Sequence, residues 1–270
     1  MSGPGSMPFV RISQGGFQAF TSTRQGGASN HPYLSLNLGL HVGDDPVLAL
    51  KNRELLLTAR GVNPGSIVCL EQVHGSGLAE IGGQELGAGA RDHSQSLKGL
   101  DGAYTQAQGL HLAIGHADCL ACVIVDHRLK AFGMAHAGWR GALAGILPKL
   151  VRAMREAFHC RPEDLWAGLS PNLHACCLRL GPEQRQQFSQ AWPIVSAYMQ
   201  RVDDSGFSLS LNGLARFQLQ QEGVSVERME AQAFCTGCNP ALFFSHRRDK
   251  GRTGRMWTMA GFSDDSQGRG

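Results

Sequence analysis

The stretch "HADCLACVIVDHRLKAFGMAHAGWRG", residues 116–141, decides how the chain folds. "LACVIVD" and "AFGMAH" are short runs of β-branched and apolar residues, so each reads as a strand. "DHRLK" between them supplies the turn, which makes the pair a hairpin. Antiparallel pairing sets the start of the first strand beside the end of the second. Cys119 and His136 occupy those two ends. A thiol and an imidazole are thereby expected side by side, next to the turn "HAGWRG". Polar groups at strand ends beside such turns are well placed to line a cleft.

Outward from the hairpin, strands and helices mix without strict alternation. "DDPVLALKNRELLLTARG" reads as a helix capped by Asp45, with Pro46 in its first turn and Gly61 at its end. "SIVCLEQVHG" reads as a strand running out at Gly75, and "GLHLAIGHAD", "LFFSHRRD" and "GRMWTMAGF" as further strands. After Gly141, Leu143, Ile146, Leu147, Leu150, Val151 and Met154 recur at helical spacing. Pro148 lies inside that pattern and predicts a kink or a start there. "LSLNGLARFQLQQEG" is a shorter amphipathic helix. Residues 82–99 read as a surface loop and 263–270 as a flexible tail. The pattern is that of a layered α/β or α+β domain with a mixed sheet.

Composition narrows the function. The chain has 270 residues, 42% of them apolar, enough for one large domain or two small ones. The net charge of +3, 25 basic against 22 acidic residues, is too mild for a nucleic-acid footprint. No apolar run approaches the ~18 residues of a membrane span. "MSGPGSMPFV" lacks the regions of a signal peptide. A cytoplasmic protein is expected, its eight cysteines buried, metal-bound or catalytic rather than paired in disulfides.

His74, in "EQVHG", also closes a strand at a glycine. Two imidazoles and one thiolate would leave a fourth position open, as in catalytic zinc sites. The spacing itself is no local zinc motif. A cysteine buried as a small hydrophobe and two hydrogen-bonded histidines satisfy the same residues. Cys119 and Cys122 form "CLAC", and Cys235 and Cys238 form "CTGC". Two such pairs could hold a structural zinc or be redox-active. Cys122, however, follows in a strand at a spacing that turns it away from Cys119, toward the core. Arg24, Arg53, Arg247, Arg248 and Arg252 are candidate anion contacts, against a default of solvated surface charge. Asp101, in "LDGAYT", could orient a histidine or act as a base, and Asn37, in "SLNLG", could contact a ribose or base. Both also suit ordinary turns.

The strings "TSTRQGGAS", "LSLNLGLHVGDDP", "NRELL", "EQVHG", "ADCL", "HAGWRGALAGIL", "CTGC" and "FFSHRRDKGRTGRM" run in order from about residue 17 to 260. Together they resemble the laccase-domain, or polyphenol-oxidase, family, whose members have been described as purine nucleoside phosphorylases. The resemblance implies one domain, with a core over about 17–262, built as a layered α/β/β/α sandwich with mixed β-sheets. It implies metal ligation by His74, Cys119 and His136, with Zn2+ as cofactor and copper as an alternative loading. It suggests that Arg53 and Arg24 face the site, where guanidinium groups would suit phosphate. Purine nucleosides and phosphate become the expected partners, and neither nucleic acid nor a membrane is. Phosphorolysis and hydrolytic deamination of adenosine are the expected reactions, with Asp101 beside the three ligands in the catalytic set.

Two rival functions stand beside these. The first is a copper polyphenol oxidase, although none of the 11 histidines forms the His-x-His pairs of multicopper sites. The second is a metal-free Cys–His hydrolase acting, for example, on cell-wall precursors, with Cys119 as nucleophile. The chain departs from the family pattern at Ala121, Ser170, Arg179, His116 and His246, which bears on substrate preference more than on the ligands.

Overall fold

The computed structural model describes residues 9–12, 16–203 and 206–262. The expected flexible tail, 263–270, and the opening segment, 1–8, lie outside the described residues. The first half of the chain runs β1 (Phe9–Arg11), β2 (Phe17–Ser22), α1 (Pro46–Arg60), β3 (Ile67–Cys69), β4 (Leu78–Glu80), β5 (Gly102–Thr105), β6 (His111–His116), β7 (Leu120–Asp126) and β8 (Ala131–Ala137). The second half runs α2 (Trp139–Leu143), α3 (Ile146–Phe158), β9 (Trp166–Leu169), β10 (Arg179–Leu180), α4 (Pro182–Ala191), β11 (Met199–Arg201), β12 (Phe207–Leu209), α5 (Leu211–Gln221), β13 (Met229–Ala231) and β14 (Met256–Phe262).

The hairpin is β7 and β8, in register from Leu120 opposite Ala137 to Asp126 opposite Ala131. Every residue of both strands is buried. Both faces are covered, which is why the run is mostly apolar rather than alternating. Leu120, Cys122 and Ile124 face α3 and α5, while Ala121, Val123 and Val125 face a second sheet. The hairpin lies in a six-stranded sheet ordered β13-β9-β7-β8-β5-β4. The second sheet is five-stranded, β1-β2-β14-β6-β3, and mixes parallel and antiparallel pairs. Its outer face packs Phe20, Ile67, Trp257 and Met259 against Leu56 and Leu57 of α1. The layers are thus α1, sheet, sheet, then α3 with α5, the expected α/β/β/α sandwich in a single domain. A three-stranded sheet, β10-β12-β11, forms a side unit around Phe188 and Leu209.

Helix α1 forms where its cap predicts: the Asp45 carboxylate accepts Val47 N–H at 2.8 Å, and Gly61 closes it at φ +63°. The apolar stripe after Gly141 divides into α2 and α3. The break falls at Gly145, at φ +70°, and Pro148 sits in the first turn of α3, where it costs no helical hydrogen bond. Two expected strands are corrected. "SIVCLEQVHG" keeps strand geometry only through Cys69, then passes Gln72 and His74 at φ +59° and +61°. "LFFSHRRD" is a series of turns, tied together by the Asp249 carboxylate, which accepts from Arg248 and Thr253. Among the described residues no helix is long and apolar enough to cross a membrane.

Candidate metal centre

The pairing of Ala121 with His136 sets Cys119, two residues earlier on the same side of β7, beside that imidazole. The third residue arrives differently from the expectation of a neighbouring strand end. His74 lies on the segment that leaves β3 in one sheet and enters β4 in the other. Its left-handed backbone is uncommon for a side-chain-bearing residue. Asp101, fully buried just before β5, over-determines it. One carboxylate oxygen accepts the His74 N–H at 2.9 Å, and the other accepts the Gly75 N–H at 2.7 Å. The first oxygen also pairs with His136 Nδ1 at 2.9 Å. One carboxylate therefore fixes two histidines and leaves His136 Nε2 to face Cys119. The ligand atoms of His74, Cys119 and His136 all lie within 4.8 Å of one another.

Electrostatics bind the cluster further. Burial alone would depress His136, but the Cys119 charge and the hydrogen bonds to Asp101 and Cys119 raise it to about 9. Burial would raise Cys119, but the His136 charge and hydrogen bonds from both histidines bring it down to about 6. Near neutral pH the pair is thiolate and imidazolium. The backbone at Cys119 is anchored through Asp118, at φ +97°, whose oxygens accept Thr236 Oγ1 at 2.6 Å and Arg247 N–H at 2.7 Å. Replacing Asp101 by alanine strips three donors of their acceptor. Metal affinity is expected to fall about 10- to 100-fold, as for other carboxylates that orient a ligating histidine. Titration against a zinc-buffered indicator measures this, and unchanged affinity would refute the role.

The three residues line a cleft of about 600 Å³. Trp139, Leu173, Leu178 and Leu211 give it apolar walls, and Arg140, Arg247 and Arg255 give it positive charge. His116 also lines it. Burial lowers His116 to about 3, so it is neutral there, bonded to Thr258 Oγ1 at 2.8 Å.

Arg53 and Arg24, expected to meet phosphate, do not line the cleft. Arg53 is 6% exposed and donates to the carbonyls of Leu38, Gly89 and Ala90, stacked on Trp257. Arg24 donates to Leu34 and Pro240 carbonyls over the Phe244 ring. Both tie loops to the body of the fold. Asn37 is fully buried as well. It accepts the Arg255 and Gly39 N–H groups and donates to Asp44, so it positions Arg255 and is not among the residues that line the cleft. Of the other arginines, Arg247 reaches the cleft, whereas Arg248 is held by Asp249 and two carbonyls. Sequence reasoning missed Arg255, whose only signal is its place just ahead of a strand that pairs with β6. Cys122 is core, as its position in β7 predicts.

Two packed mixed sheets between helices, with a His/Cys ligand group at the mouth of a cleft, define a layered α/β protein with a candidate metal centre. The sequence model of the family described as multi-copper polyphenol oxidoreductase laccase matches residues 18–263, and the chain belongs to that family. It is 36% identical over 258 residues to a protein named purine nucleoside phosphorylase YlmD from Geobacillus stearothermophilus, covering 95% of this chain and 92% of that one. It is also 36% identical over 241 residues to purine nucleoside phosphorylase YfiH from Escherichia coli, covering 89% and 92%. The crystal structure of YlmD from Geobacillus stearothermophilus superposes with a TM-score of 0.91 at 32% identity, covering 95% of this chain and all of that one.

Proposed function

We propose that the chain is a zinc-dependent purine nucleoside phosphorylase, with deamination of adenosine as a second activity of the same cleft. The observation that carries this reading is the convergence of His74, Cys119 and His136 at a cleft with apolar walls and three arginines. The names of the relatives support the substrate class. Two imidazoles and a thiolate suit zinc, and three protein ligands are the number found in catalytic rather than structural sites. When bound, zinc would supply Lewis acidity and an activated water. Copper also fits such a donor set. The paired histidines of a multicopper centre are absent from the sequence, which favours zinc and a nucleoside reaction over phenol oxidation. We place this reading in the cytoplasm, where thiols stay reduced.

The chain's own groups then have separate tasks. Asp101 keeps the Nδ1 proton of His136 on its own side and so orients Nε2 inward. Arg140, Arg247 and Arg255 attract phosphate, and Trp139 with the leucines receives the purine. In phosphorolysis a phosphate oxygen bonds to the ribose anomeric carbon, the glycosidic C–N bond breaks, and the base leaves with a proton. Product chromatography of zinc-loaded protein with adenosine and inosine, with and without phosphate, tests the reading. Base and ribose 1-phosphate are expected only with phosphate, and inosine from adenosine in either case. Neither product from either nucleoside would overturn it.

One observation favours a second reading. In it Cys119, His136 and Asp101 would serve as nucleophile, base and orienting acid of a metal-free thiol hydrolase. Chelation separates the two, since it abolishes a zinc enzyme and activates a thiol enzyme.

The opposite shifts of Cys119 and His136 predict how zinc affinity follows pH. Between about 6 and about 9, Cys119 is already a thiolate but His136 carries a proton that binding must displace. Affinity should therefore rise about tenfold per pH unit across that window, and more steeply below it, where the thiol must also ionise. Competitive zinc titration from about pH 5.5 to about pH 8.5 checks the slope, and a flat profile would contradict it.

A further inference from the structure

A second group of ligand atoms lies behind the cleft wall. Cys176 and Cys177 sit in the turn before β10, and Cys235 and Cys238 in the turn after β13. The four sulfurs lie within 4.8 Å of one another, with Cys238 Sγ at 3.4 Å from that of Cys177 and 3.6 Å from that of Cys176. A tetrahedral zinc with Zn–S bonds of about 2.3 Å separates its sulfurs by about 3.8 Å. The observed spacing brackets that value. A disulfide joins two sulfurs at about 2.05 Å, whereas here one sulfur stands near two others. Cys235 and Cys238 also hold the "CxxC" spacing of a zinc-binding turn.

The surroundings are built for this convergence. At Gly237, between the two cysteines of that turn, an added Cβ would meet Cys177 Sγ at 3.0 Å and Leu173 Cδ1 at 2.9 Å. A side chain there would have to push the Cys177 sulfur or the Leu173 methyl aside. The two turns are stitched by Thr236 N–H donating to the Asn172 carbonyl at 3.0 Å.

We propose that Cys176, Cys177, Cys235 and Cys238 form a second zinc site, closed by four thiolates and structural in role. Four protein ligands leave no position for substrate. Such an ion staples the 172–178 turn to the 235–238 turn. Leu173 and Leu178, in the first turn, line the cleft, and Thr236, in the second, holds Asp118 beside Cys119. The site therefore rigidifies one wall of the cleft without touching what binds there. It draws only on these thiols and stands whether or not the cleft binds zinc.

The test counts metal in protein purified with reductant and without chelator. Wild type is expected to hold two zinc ions per chain. His74→Ala/Cys119→Ser should hold one, and so should Cys176→Ser/Cys238→Ser. Mass spectrometry after iodoacetamide gives a readout that does not need the second variant to fold. In the zinc-loaded His74→Ala/Cys119→Ser protein, the exposed Cys176 and Cys238 should resist alkylation, then react once a chelator is added. Cobalt substituted into that same variant should give the charge-transfer absorption of a tetrathiolate. A zinc-free His74→Ala/Cys119→Ser protein would overturn the proposal. So would alkylation of Cys176 and Cys238 at one rate with and without zinc, or a disulfide among the four.

Discussion

Cys119→Ala is expected to empty the cleft of metal and to lower kcat/KM by about 10³-fold or more, roughly 4 kcal/mol of lost transition-state stabilisation. The thiolate is the one anionic ligand of the three, and its charge also holds the His136 imidazole. Removing it leaves only two imidazoles facing each other, with ring centroids 4.9 Å apart. The fold should survive, because Cys119 precedes β7 and belongs to none of the hydrophobic cores. Metal content, kinetics and circular dichroism of the variant check the three parts of this expectation together. Full activity with full zinc in Cys119→Ala would remove the three-ligand centre from consideration.

The second large effect comes from a residue with no chemistry of its own. Gly138 has φ −66° and ψ 176°, a conformation open to any residue, so backbone preference does not require glycine there. Space does. A Cβ at this position would stand 2.7 Å from Cys119 Sγ and 3.7 Å from His74 Cδ2. Relief comes only if the sulfur swings away from the histidines or the turn backs out of the cleft. Gly138→Ala is expected to cost about 100-fold in kcat/KM, near 3 kcal/mol, with a parallel loss of zinc affinity and a small change in Tm. Wild-type zinc affinity in this variant would show that the sulfur is not held where the three-ligand geometry needs it.

The hairpin was legible because strand propensity, turn position and ligand placement all reside within 26 contiguous residues, 116–141. The register of β7 and β8 follows from the turn between them, and with it the meeting of Cys119 and His136. His74 could be picked out but not placed. Its position depends on a crossing between sheets and on a carboxylate 27 positions away, which no local pattern encodes. Asp101 could be named as an orienter of a histidine, but its hold on two of them emerges only in three dimensions. Arg53 and Arg24 were harder to read for a similar reason. A guanidinium spent on buried carbonyls, like that of Arg53, has the same letter in the sequence as one that faces a cleft. The second cysteine group escaped because Cys235 and Cys238 invited pairing with Cys119 and Cys122, whereas the fold brings them to Cys176 and Cys177.

The order of the five-stranded sheet has a consequence for how the chain is made. Its central strand, β14, is the last of the described strands, paired on one side with β2 and on the other with β6. Until residues 256–262 leave the ribosome, β2 and β6 each present an open edge, and the apolar face above the hairpin lacks its middle. Such long-range pairing is slow to form and prone to intermolecular strand addition in the meantime. A nascent chain stopped just short of Met256 would thus carry every ligand of both cysteine-containing clusters and still be a substrate for chaperones rather than an enzyme.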